Sequence, residues 1–92
     1  MPVGLLTLEL QLPEARSLKD KRQVLRSIKD RLRNEFNVSV AEVEAQDNRQ
    51  LIVLGLAMVS NERKHVRTTL EQVVAALRSH PVAELLDHEL DV

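Results

Sequence analysis

Residues 17–43 read SLKDKRQVLRSIKDRLRNEFNVSVAEV, and their spacing describes a long basic helix running into a strand. Ser17 is a good N-cap, and Asp20 three residues later gives the capping-box spacing, with a carboxylate at the positive end of the helix dipole. Leu18, Leu25, Ile28, Leu32 and Phe36 recur on one face of a 3.6-residue period. No Gly or Pro interrupts Ser17 to Glu35. A helix of that length spans roughly 28 Å, enough to lie across a small sheet. Arg22, Arg26, Lys29 and Arg33 step by four, three and four, with Lys19 close by, so a cationic stripe flanks the apolar one.

Upstream, Leu6, Leu8, Leu10 and Leu12 alternate with Thr7, Glu9 and Gln11, the period of a half-buried strand over Pro2 to Leu12. Pro13 ends it. Downstream, Val38 to Gln46 reads as a second strand. Its apolar phase shifts at Val43, which indicates a bulge or an edge position. Asp47-Asn48-Arg49 supplies turn residues for a hairpin into Leu51 to Val59. That third strand is apolar on both phases. Ser60 and Asn61 are capping residues for a second helix with Val66, Leu70, Val73, Val74 and Leu77 on one face, closed by Pro81. Leu86, His88 and Leu90 share a strand phase with Val92, so Val82 to Val92 is read as a fourth strand.

The order β-α-β-β-α-β with right-handed crossovers predicts an α+β, ferredoxin-like domain over residues 1–92: a four-stranded antiparallel sheet with both helices on one face. A chain of 92 residues buries only about 60–65% of its unfolded surface. At 43% hydrophobic and 29% charged it has the composition of an ordinary soluble domain, and with Phe36 as its single aromatic the core must be aliphatic. The absence of cysteine excludes thiolate chemistry and disulfides. No apolar run reaches membrane-spanning length and no signal-peptide pattern opens the chain, so a cytoplasmic protein with no membrane partner is expected.

A net charge of −1 hides an asymmetry. Residues 16–33 hold eight of the thirteen Lys and Arg against Asp20 and Asp30, whereas residues 84–92 hold Glu84, Asp87, Glu89 and Asp91 and no Lys or Arg.

The phrase Ser17 to Val43, with its LELQLPEARSLKDKR lead-in and the later Val59-Ser60-Asn61, resembles the YlxP-like family of small bacterial domains of unknown function. The resemblance covers nearly the whole chain, most strongly at Ser17-Leu18-Lys19-x-Lys21-Arg22 and at Phe36 to Glu42. It implies a ferredoxin-like fold and a gene neighbourhood of translation and ribosome maturation, and it carries over no catalytic residue. Family members often have a Trp near the hairpin, where this chain has Asn48-Arg49-Gln50.

Functionally, the stripe Lys19, Arg22, Arg26, Lys29 and Arg33, extended by Lys64 and Arg67 of the second helix, is a candidate phosphate-tracking surface for RNA or a ribonucleoprotein. Its competing reading is a solvated helix face. Stacking of bases on the sheet is excluded by the lack of aromatics. Lys21 falls on the apolar side of the helix. It either snorkels past a sheet edge or pairs with a carboxylate such as Glu42 in an ion-pair or ligand site.

Glu42 and Glu44, two apart and so expected on one strand face, lack any His in ligand spacing; no metal, cofactor or catalytic residue is expected. Gly4 and Gly55 form no phosphate loop, and no serine sits in a nucleophile elbow. A non-enzymatic binding domain is expected. Because strand three is apolar on both phases, Leu5, Ile52, Leu54, Leu56 and Met58 are interface candidates on the uncovered sheet face, predicting a homo-oligomer, a dimer in the simplest case. The alternative function is such a protein-interaction module, or a small-ligand regulatory domain; the first strand-to-helix loop, Pro13 to Arg16, lacks the glycine such regulatory domains place there.

Overall fold

A computed structural model describes residues 1–92. The elements are β1 (Val3–Gln11), α1 (Leu18–Glu35), β2 (Ser39–Glu44), β3 (Leu51–Val59), α2 (Arg63–Arg78) and β4 (Glu84–Asp91). The strands form one antiparallel sheet in the order β2-β3-β1-β4, and both helices cover one face of it. This is the ferredoxin-like split βαβ.

Each expected element is present, and the departures are local. Ser17 is the N-cap of α1, its Oγ accepting from the Asp20 N–H at 3.1 Å. Asp20 Oδ2 in return accepts from the N–H of Arg16 at 3.0 Å, one residue before the cap. Ser60 does not cap α2. Glu62 holds that position without a side-chain bond, and Ser60 Oγ accepts from the Glu62 N–H in the preceding turn. In the hairpin, Asn48 Oδ1 accepts from the N–H groups of Gln50 and Leu51, closing the turn.

The core is aliphatic and continuous: Leu6, Leu8 and Leu10 of β1, Ile52, Leu54, Leu56 and Met58 of β3, Leu25, Ile28 and Leu32 of α1, and Val66, Leu70, Val73 and Leu77 of α2. Register explains the choice of face. Leu6, Leu8 and Leu10 lie opposite Leu56, Leu54 and Ile52, so all point at the helices. The expectation that Ile52, Leu54, Leu56 and Met58 line the uncovered face is therefore corrected. They are 0–4% exposed beneath the helices. The outward phase of β3 is Leu51, Val53, Gly55, Ala57 and Val59, opposite Leu5 and its neighbours.

Two bulges shift the edge strands. In β2 the register slips between Glu42 and Glu44, as the apolar phase at Val43 had indicated. Val43 consequently lies over Gly55 on the open face, its Cγ1 only 2.9 Å from where a glycine-replacing Cβ would sit. In β4 the register slips between the partners of Glu9 and Leu10. Leu85 rather than Leu86 lies opposite Leu10, and Leu86 is exposed. The single phase expected for Leu86, His88 and Leu90 is broken there.

Candidate nucleic-acid interface

The apolar stripe that seats α1 on the sheet leaves its cationic stripe on one flank. Lys19, Arg22, Arg26 and Arg33 are exposed and Lys29 is partly so. Of the thirteen Lys and Arg, only Lys21 and Arg31 have a carboxylate within 4.0 Å. Lys19, Arg22, Arg26 and Lys29 thus form a cationic surface with no ion-pair partner within 4.0 Å.

Arg33 differs. Its Nη2 donates to the Val40 carbonyl at 3.0 Å, tying the end of α1 to the outer edge of β2. That bond also shows which way the stripe looks. On the other side, Arg31 pairs with Glu35 at 3.0 Å, and its positive charge acts on His80 beyond the end of α2. At about 100° per residue, Arg31 lies roughly 160° around α1 from the middle of the stripe. The stripe therefore faces outward past β2, and the α2 side of α1 is elsewhere. Lys64 and Arg67 stand on the other helix, α2. Both remain exposed.

Beneath the stripe lies the support the sequence left with two readings. Lys21 is 1% exposed, and its Nζ donates to the Ala45 carbonyl at 2.7 Å and lies 2.8 Å from Glu42 Oε2. The lysine does not snorkel; it is the buried half of an ion pair. The approach to Glu42 is close in distance but poorly aligned, so Oε2 is buried and ion-paired without an aligned hydrogen-bond donor. Ala45 adopts φ 58°, a left-handed conformation that turns its carbonyl to accept from both Lys21 and the Asn48 N–H. The pair thereby fastens the first turns of α1 to the β2–β3 hairpin. Gln50 adds a second fastening, its Nε2 donating to the carbonyls of Pro13 and Ala15.

Glu42 and Glu44 are not side by side. The bulge sets Glu42 opposite Leu54 on the helix side and Glu44 opposite Val53 on the open side. A paired-carboxylate site is thereby lost, and no three His, Asp or Glu side chains come together as a ligand set.

The open face was largely missed by sequence reasoning. It carries Glu9, Glu44, Glu84, Asp87, Glu89 and Asp91, and every Lys and Arg of the chain lies outside the strands. Beside the carboxylates are Val3, Leu5 and Val59, each about half exposed, and an open depression of about 390 Å³ over Gly55. Leu5 is the one interface candidate that occupies this face. The chain is thus two-sided, with a cationic flank on the helix layer and an anionic sheet surface.

These features define a small ferredoxin-like α+β domain with a buried Lys–Glu fastening and opposed charged surfaces. The chain belongs to DUF503, a family of proteins of unknown function, whose model matches residues 3–90. It is 39% identical over 82 residues to the uncharacterized protein YlxP of Bacillus subtilis strain 168, an alignment covering 89% of each chain. No helix is long and apolar enough to cross a membrane.

Proposed function

We propose that this protein is a non-enzymatic binding domain that recognises structured RNA, free or within a ribonucleoprotein, through the outer flank of α1. The observation that carries the reading is the run of Lys19, Arg22, Arg26 and Lys29 without a carboxylate within 4.0 Å. A solvated face gains solubility from mixed charge, whereas a single-sign stripe along a rigid helix raises the local potential toward phosphate. Arg33, held by Val40, sets the position of the stripe against β2 and contributes less as a free contact. Lys64 and Arg67 are assigned to non-specific attraction at longer range.

The mode is phosphate and shape recognition. Phe36 is packed against the core, so the sheet offers no ring on which a base could stack. The carboxylates of the open face repel phosphate and orient the helix layer toward the RNA. The test is charge reversal. Arg26→Glu with Lys29→Glu abolishes binding of a structured RNA hairpin while circular dichroism stays unchanged. Retained binding in that variant refutes the reading.

Homo-oligomerisation through the open face has the half-exposed Val3, Leu5 and Val59 in its favour. The charge of the face counts against it. Stacking two copies face to face sets carboxylates over carboxylates or neutral residues and never over a base. Sedimentation over a concentration series decides the matter.

A further inference from the structure

We propose that the open sheet face is a docking surface for a cationic, amphipathic segment of a partner protein, independent of the RNA reading. Three observations on that face converge. First, Glu9 of the central strand β1 lies directly opposite Asp87 of β4. Like charges in that cross-strand position disfavour the sheet. Neither carboxylate has a Lys, Arg or His within 4.0 Å.

Second, the row continues. Glu89 lies opposite Thr7, and Asp91 opposite Leu5, so three carboxylates of β4 project along one side of the face at every second residue. With no Lys or Arg on any strand, and His88 opposite Leu8 on the other phase of β4, the open face has a potential of one sign. Third, the acidic row borders an apolar strip of Val3, Leu5, Ala57 and Val59. This strip runs into the depression over Gly55, where Val43 forms the far wall.

An apolar strip rimmed on one side by carboxylates without an ion-pair partner complements a helix with leucine-like side chains on one face and Lys or Arg at its border. The apolar side chains cover Leu5, Val59 and the Gly55 depression, and the cations lie over Glu9, Asp87 and Glu89. Docking would supply the counter-charge that the Glu9–Asp87 pair lacks. A second copy fits less well, because its equivalent face brings no base.

The probe is a synthetic amphipathic helix with lysines bordering a leucine face, with a counterpart carrying glutamate for lysine as control. In the wild-type protein the lysine peptide shifts backbone amide resonances of β1, β3 and β4 and leaves those of α1 unmoved. Glu9→Gln with Asp87→Asn weakens that binding roughly three- to tenfold. The same variant raises the thermal midpoint of the free protein, since the opposed charges are relieved. That combination, a more stable protein that binds less well, is not produced by unfolding. Leu5→Ser weakens binding without changing its salt dependence. Unchanged affinity in the Glu9/Asp87 variant, equal binding of the glutamate peptide, shifts confined to the helices, or a dimer that Leu5→Ser dissociates would each overturn the proposal.

Discussion

Lys21 Nζ lies 2.8 Å from Glu42 Oε2, and the lysine side chain is 1% exposed against 16% for the glutamate. The pair links the first turns of α1 to β2 across the top of the sheet. A buried ion pair is a poor source of net stability but is costly to break, since a lone charge remains without solvent. Glu42→Ala therefore destabilises the fold by about 3–5 kcal/mol in urea unfolding. Lys21→Met combined with Glu42→Leu removes both charges and restores most of that loss. A double variant as unstable as the single one contradicts this view of the pair.

Gly4 is where β1 passes under α2. A Cβ there meets Val66 Cγ1 and, at 2.8 Å, Leu70 Cδ1, both core side chains with little freedom to move. Gly4→Ala is expected to lower stability by about 1–3 kcal/mol through overpacking. Thermal denaturation reads the effect. Gly55, whose missing Cβ faces only Val43 at the surface, is expected to tolerate Ala better.

His80 caps the turn between α2 and β4. Its Nδ1 accepts from the N–H groups of Val82 at 3.2 Å and Ala83 at 3.0 Å, which requires that nitrogen to be unprotonated. Burial, and after it the Arg31 charge, hold its pKa below the ordinary 6.5. A histidine depressed in the folded state favours folding while neutral. That contribution is complete above pH 6.5 and is lost as pH falls through the lower folded-state value. Between neutral pH and about pH 5, the thermal midpoint is expected to fall more in the wild type than in His80→Asn, whose amide accepts without titrating. Equal slopes for the two proteins contradict the assignment.

Much of the fold was legible because the strongest periodic segments carry it. Ser17, the heptad-like spacing to Phe36 and the alternation of Leu6 to Leu12 each specify one element and one buried face. β3 was a different case, for its two apolar phases do not say which side faces the helices and which is left open. Residue volume held the answer: Ile52, Leu54, Leu56 and Met58 are large, whereas Gly55 and Ala57 on the other phase are small, and the larger set faces the helices. The slip at Leu86 was not legible, because an inserted residue changes phase without leaving a turn signal.

The candidate surfaces divide in the same way. A helical wheel finds Lys19, Arg22, Arg26 and Lys29 together, since they lie on one element. It could not show that Arg33 is engaged by the Val40 carbonyl. The opposition of Glu9 and Asp87 spans 78 residues of sequence and depends on the β1–β4 register, which no local pattern encodes.

The most direct measurement of the central claim is the salt dependence of binding to a structured RNA, for the wild type and for Arg26→Glu with Lys29→Glu. Four phosphate contacts by Lys19, Arg22, Arg26 and Lys29 predict log affinity falling against log salt with a slope of about −3.6 for a duplex-like target. The reversal variant is expected to lose binding even at low salt. A slope near zero, or the same slope in both proteins, would contradict RNA recognition by the outer flank of α1.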